Sequence, residues 1–219
     1  MTQTLHRKGK LGDLREDFIV FTMSAKTVNA KGSAHKMRRF FEILERYGSV
    51  NYGDMKTGSI LSSQRTAIYE GIRDASIVHF AFTDKEAVKR VLGELKEAQL
   101  GTSVVVSGLV EVIDQLCRQV GLKMHTVEFS GGIHGRLGLL PERSILEITT
   151  MCGHGMVASS LVKEMVRQVG KGKKTIPEAA LELAKPCQCG IFNPKRAEIV
   201  LERLINQPKI SKGDRYESA

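Results

Sequence analysis

The chain has 219 residues, 42% hydrophobic and 26% charged, the balance of an ordinary globular protein and not of a disordered or fibrous one. A folded chain of that length buries roughly 70% of the surface its unfolded form exposes, which suits one main domain with an appendage. No apolar signal core opens the chain and no 18-residue apolar run occurs in it, so a cytoplasmic protein with reduced thiols and no membrane partner is expected. The net charge is +9, and residues 1–40 hold nine Lys/Arg against three acids. Such an excess draws in nucleic acid or anionic substrates but dictates no fold.

Residues 1–16 are polar and aperiodic, which predicts a loose segment. Asp17–Met23 (DFIVFTM) is a β-rich apolar run, read as a buried strand. Ser33 is placed to cap a helix whose Met37, Phe40, Phe41 and Leu44 form one apolar stripe, ended by Gly48. A Gly- and Ser-rich loop leads to a short helix over about 63–73. Ser76–Phe82 predicts a strand and Thr83–Asp84 opens a helix carrying Val88, Val91, Leu92 and Leu95. Ser103–Gly108 predicts another strand, and Leu109, Val112, Ile113, Leu116 and Val120 another helix. Lys123–Phe129 alternates as a third strand. This order predicts an α/β fold with a parallel sheet and right-handed crossover helices over 1–130.

From Ser130 to Pro141 a glycine-rich loop intervenes, and after it the pattern is mostly helical: about 156–169, then a capping box at Thr175 and Glu178, then an Asn193–Pro194 start running to about 205. The expected division is an α/β domain at 1–130, a loop and helical metal-binding segment at 131–206, and a disordered tail at 207–219.

Three of the four cysteines sit in this second part: Cys152 in MCGHG, Cys187 and Cys189 in PCQCG. Each adjoins glycine or proline rather than an apolar stripe, and in extended backbone residues two apart face one side. Helices following these turns would aim N–H groups and their dipoles at the thiolates, which bind metal when deprotonated. Three thiolates on a [4Fe–4S] cluster leave one iron open as a Lewis acid. The expected function is therefore a cytosolic iron–sulfur enzyme of the non-redox kind, a lyase, hydratase or sulfur transferase acting on a small anionic substrate. The alternative is a zinc-binding structural or regulatory module, with His154 as fourth ligand and nucleic acid bound through the basic surface. A strained Cys187–Cys189 disulfide, or three simply buried thiols, complete the alternatives. Cys117, on a helical face, reads as a core side chain.

His154, between glycines, is the candidate proton carrier, with His134 in the loop as the second. Arg136 beside it, and Arg65 ahead of a helix, are the candidate clamps for the substrate's anionic end. His79 and His125 read as core or face residues. The basic clusters at Arg7–Lys10, Lys36–Arg39 and Lys171–Lys174 come without an aromatic nucleic-acid signature, and no nucleotide-loop motif is present.

Overall fold

The computed structural model describes residues 4–206; the tail expected at 207–219 lies outside them. Among the described residues five strands, β1 (Phe18–Met23), β2 (Asn51–Asp54), β3 (Gly58–Ser59), β4 (Val78–Phe82) and β5 (Ser103–Ser107), form one sheet in the order β3-β2-β4-β1-β5. Every neighbouring pair is antiparallel. This overturns the expected parallel sheet. The helices α2 (Ala34–Leu44) and α4 (Lys85–Ala98) do link strands that run the same way, β1 to β2 and β4 to β5. Each link, however, steps over one strand, so no parallel pair touches. The result is the split β-α-β plan of ferredoxin-like sheets. Alternation of strand and helix along a sequence encodes direction, and it does not encode which strand slips in between.

The burial pattern explains the misreading. β1 sends Phe18 and Val20 to one face and Ile19 and Phe21 to the other, all fully buried. An apolar run with no polar alternation is what a strand covered on both faces requires, and parallel sheets are the usual source of such runs. Here the two covers are separate helical layers. On one face α2, α3 (Arg65–Glu70), α4 and α5 (Val110–Gln119) pack on Phe18, Val20, Val78, Phe80 and Phe82. Phe41 meets Phe80 edge-on with ring centroids 5.3 Å apart. On the other face α6 (Arg143–Thr149), α7 (Ser159–Gly170), α8 (Ile176–Ala184) and α9 (Pro194–Asn206) cover Ile19, Phe21 and Ala81. The helical half of the chain is the lid of a sheet face that two crossover helices leave bare. Among the described residues no helix is long and apolar enough to cross a membrane.

Three local expectations change. The stretch 123–129 joins no strand and is largely exposed, Phe129 at 73%; alternation supplies a face but not a neighbour to bond. Ser33 does not cap α2 with its own hydroxyl. The carboxylate of Asp74 instead accepts from Gly32 and Ala34 N–H (2.7 and 2.9 Å), while Ser33 Oγ accepts from Ala75 N–H. The cap is tertiary. The segment after Thr4, read as loose, is tied down: α1 (Leu11–Leu14) forms in it, and Arg7 is almost fully buried.

Gln99 closes α4 in the left-handed region at φ 43°, ψ 49°, with its side chain exposed. A side chain there costs about 1–2 kcal/mol that glycine avoids, less the extra entropy glycine loses on folding. Gln99→Gly is expected to stabilise the protein by about 0.5–1 kcal/mol. Thermal melting checks this, and an unchanged or lowered midpoint would show that the turn carries no strain.

Candidate metal centre

The two cysteine-bearing turns meet over the covered face of the sheet. α6 ends at Thr149, Met151 N–H still bonds back to Ile148, and Cys152 opens a turn closed by Gly155 N–H on its carbonyl at 3.1 Å. Gly155 holds φ +69°. α7 begins only at Ser159, so Cys152 stands near the carbonyl end of α6. The following helix starts seven positions on, not directly at the cysteine turn as expected. Cys187 and Cys189 lie in the turn after α8, where Cys187 N–H bonds Ala184 and Gly190 N–H bonds Cys187. Gly190, at φ +75°, rests its Cα on the β2 backbone at Tyr52 and Gly53. Gly53 is in register with His79 on β4. The C-Q-C-G turn therefore sits directly on the sheet.

The sulfurs form a row. Cys152 neighbours Cys187 closely enough to shift its proton, Cys187 Sγ lies 3.8 Å from Cys189 Sγ, and Cys189 Sγ lies 3.5 Å from His154 Nδ1. All three cysteines are buried, whereas residues 153–156 of the turn are exposed. Backbone N–H groups point at each sulfur: His154 and Met156 at Cys152, Phe192 at Cys187, Ile191 at Cys189.

The row orders the protons. Cys152 is pushed well up, because it donates its hydrogen bond to Cys187 and because burial disfavours charge. Cys187 gains from the bond that Cys152 gives it, but its own donation to Cys189, together with burial, lifts it to about 12. Cys189, at the accepting end, is held below its ordinary value by the bond from Cys187, which with the Ile191 N–H outweighs burial. Of the three, Cys189 is the first to lose its proton as pH rises. His79, buried beneath the turn, is pushed down to about 3 by burial and by the neighbouring His154, and so stays neutral. Its ring lies 5.1 Å from that of Phe21.

Of the seven residues singled out by sequence, four converge: Cys152, Cys187, Cys189 and His154. His134 and Arg136 stand on the exposed loop, where the His134 ring bonds the Gly131 carbonyl at 2.7 Å. Arg65 is engaged elsewhere. It grips Glu45 with two bonds (2.8 and 2.7 Å) and lies over Phe41 and Tyr69, on the opposite face of the sheet from the thiols. Cys117 packs in that opposite core, as a helical thiol should.

Sequence reasoning missed a buried ionic group beside the thiols. Asp17 is fully buried between Arg7 and Arg196, with Asn193 donating to it at 3.0 Å. Asn193 also caps α9, its Oδ1 accepting Arg196 N–H at 3.0 Å. The cap was legible in Asn193–Pro194; the ion pairs, spanning 10 and 179 positions, left no local trace.

Among the described residues no three His, Cys, Asp or Glu groups stand ready-made around a common metal position. The donors are linked in a row through their protons instead of facing one centre. Searches of protein-family models, of curated proteins and of solved structures give no match to this chain.

Proposed function

We propose that the protein is a metal–thiolate module in which Cys152, Cys187 and Cys189, with His154 as the fourth donor, hold one zinc ion. The observation that carries this reading is the spacing of the row. Two thiolates on a tetrahedral zinc, each about 2.3 Å from the ion, stand about 3.8 Å apart, and a thiolate and an imidazole nitrogen about 3.5 Å. Cys187 and Cys189 stand 3.8 Å apart, and Cys189 and His154 Nδ1 3.5 Å. Thiolates on different irons of a cubane stand farther apart, because the inorganic core lies between them. The backbone N–H groups aimed at each sulfur are the outer-shell donors a thiolate site needs. With four protein donors no position is left for substrate, so the role is structural or regulatory: the ion pins the turn after α6 to the turn after α8, and through Gly190 to β2.

A second reading rests on a different observation. The turn that carries His154 is exposed, so its withdrawal would leave three thiolates facing solvent on one side. That arrangement suits a [4Fe–4S] cluster with one open iron acting on a small anionic substrate, and His154 would then carry the proton.

Anaerobic purification with metal analysis and an absorption spectrum separates the two. A colourless chain with one zinc supports the first, and a brown one with about four irons supports the second. Cys152→Ala is expected to lose the metal in either case, while Cys117→Ala keeps it. A chain that takes up neither metal, or a Cys152→Ala variant that binds like the parent, overturns the assignment.

A further inference from the structure

The two cysteine turns belong to segments 35 residues apart in the chain, yet a third segment, distant from both, fastens them together. Arg7 donates from one nitrogen, Nη1, to the carbonyl of Met151 at 2.7 Å and to the carbonyl of Ile191 at 3.0 Å. Met151 immediately precedes Cys152; Ile191 is the residue whose N–H points at Cys189. The remaining edge of the guanidinium is locked in place by Asp17, which takes Nε–H at 2.9 Å and Nη2–H at 2.7 Å. Next to it Lys8 N–H donates to Thr150 Oγ1 at 2.9 Å, and Arg196 bonds both Asp17 and the Lys8 carbonyl. A planar fork held from behind by a carboxylate has its two forward N–H bonds fixed in direction. They end on the backbone of both cysteine turns.

We infer that Arg7 is a positioning residue for the metal centre: by bridging the Met151 and Ile191 carbonyls it sets the gap between Cys152 and the Cys187–Cys189 pair, so that Cys152 reaches the same ion. The inference rests on the zinc reading above. Lysine supplies charge but only a single ammonium on a flexible stem, and cannot hold Asp17 and both carbonyls in one plane. Arg7→Lys therefore tests geometry rather than charge.

The experiment uses the full chain loaded with Co²⁺ in place of zinc, with intensity of the thiolate-to-cobalt absorption as a count of bound thiolates and chelator competition as the affinity. Arg7→Lys is expected to lose about one third of the thiolate absorption, to match Cys152→Ser, and to bind about 10–100-fold more weakly, the usual effect of removing an outer-shell partner. Val88→Ala, a core change on the far face of the sheet, serves as a destabilised control and should keep the full spectrum. If Arg7→Lys does not accumulate folded, the spectrum is read on Asp17→Glu, which keeps both charges but displaces the fork by one methylene; the same thiolate loss is expected. A parent-like spectrum and affinity in the folded Arg7 or Asp17 variant overturns the inference while leaving the metal reading intact. A parent chain that binds no cobalt overturns both.

Discussion

Gly190→Ala is expected to cost about 2–5 kcal/mol of folding stability and to abolish metal binding. The backbone there lies in the left-handed region, which charges an alanine about 1–2 kcal/mol. The added methyl would also come within 2.5 Å of Gly53 N and Tyr52 O, and closer still to the Tyr52 carbonyl carbon. These are backbone atoms of a sheet strand and cannot swing aside as a flexible side chain would, so an overpacking cost of about 1–3 kcal/mol adds to the first. Relief comes only by lifting the C-Q-C-G turn off β2, which carries Cys187 and Cys189 away from Cys152. Gly155→Ala provides the comparison. Its φ is +69°, but its Cβ would enter open space, so only the left-handed cost of about 1–2 kcal/mol applies. Urea unfolding of the two variants, each with and without zinc, checks the difference. Equal losses would show that the contact with β2 does not hold the turn.

Asp17→Asn is expected to remove about 3–5 kcal/mol, because it leaves two buried guanidinium groups facing a neutral amide. Arg7, Asp17 and Arg196 expose 6%, 0% and 1% of their side chains, so solvent cannot screen the orphaned charges. The pH dependence has a definite sign. Burial works to raise the Asp17 pKa, but the charges of Arg7 and Arg196 and the bonds from Arg7 and Asn193 outweigh it, and the folded value lies below the ordinary 3.8. A carboxylate whose pKa is depressed by folding contributes its full stability above its unfolded value and loses it as pH falls through the folded one. The parent should therefore hold this contribution down to about pH 4 and lose it below, while Asp17→Asn lacks that acid-side step. Urea midpoints measured from pH 7 to pH 3 check both statements. A loss at pH 7 no larger than the roughly 1 kcal/mol of an exposed pair would mean that the buried charges are not interdependent.

The local elements of this protein can be read residue by residue. The Met37, Phe40, Phe41 and Leu44 stripe is buried on α2, the Val88, Val91, Leu92 and Leu95 stripe on α4, and the capping box at Thr175 and Glu178 forms with both of its bonds. Each depends on neighbours within one or two turns, and local patterns are what a sequence displays. The segment 123–129 marks the limit, since its alternation fits a strand and no strand lies beside it.

The gathering of Cys152, Cys187, Cys189 and His154 was also foreshadowed, because thiols placed beside glycine and proline in turns lack the packing reason that places Cys117 in a helix. The partners that hold those turns were not. Arg7 reaches across 144 positions to Met151 and 184 to Ile191, and nothing in the residues around Arg7 distinguishes it from its basic neighbours Lys8 and Lys10.

By itself the sequence determined the helices other than α1 and α6, three of the strands (β1, β4 and β5) to within a residue or two, and the four side chains worth watching, since all of these follow from periodicity, caps and backbone freedom over a few residues. Only the tertiary structure decided that the sheet is antiparallel, that its second face is covered by the cysteine-bearing helices, and that an N-terminal arginine bridges both turns. Strand neighbours, sheet covers and buried ion pairs are chosen by which distant surfaces exclude water together, and that choice leaves no mark on any short stretch of chain.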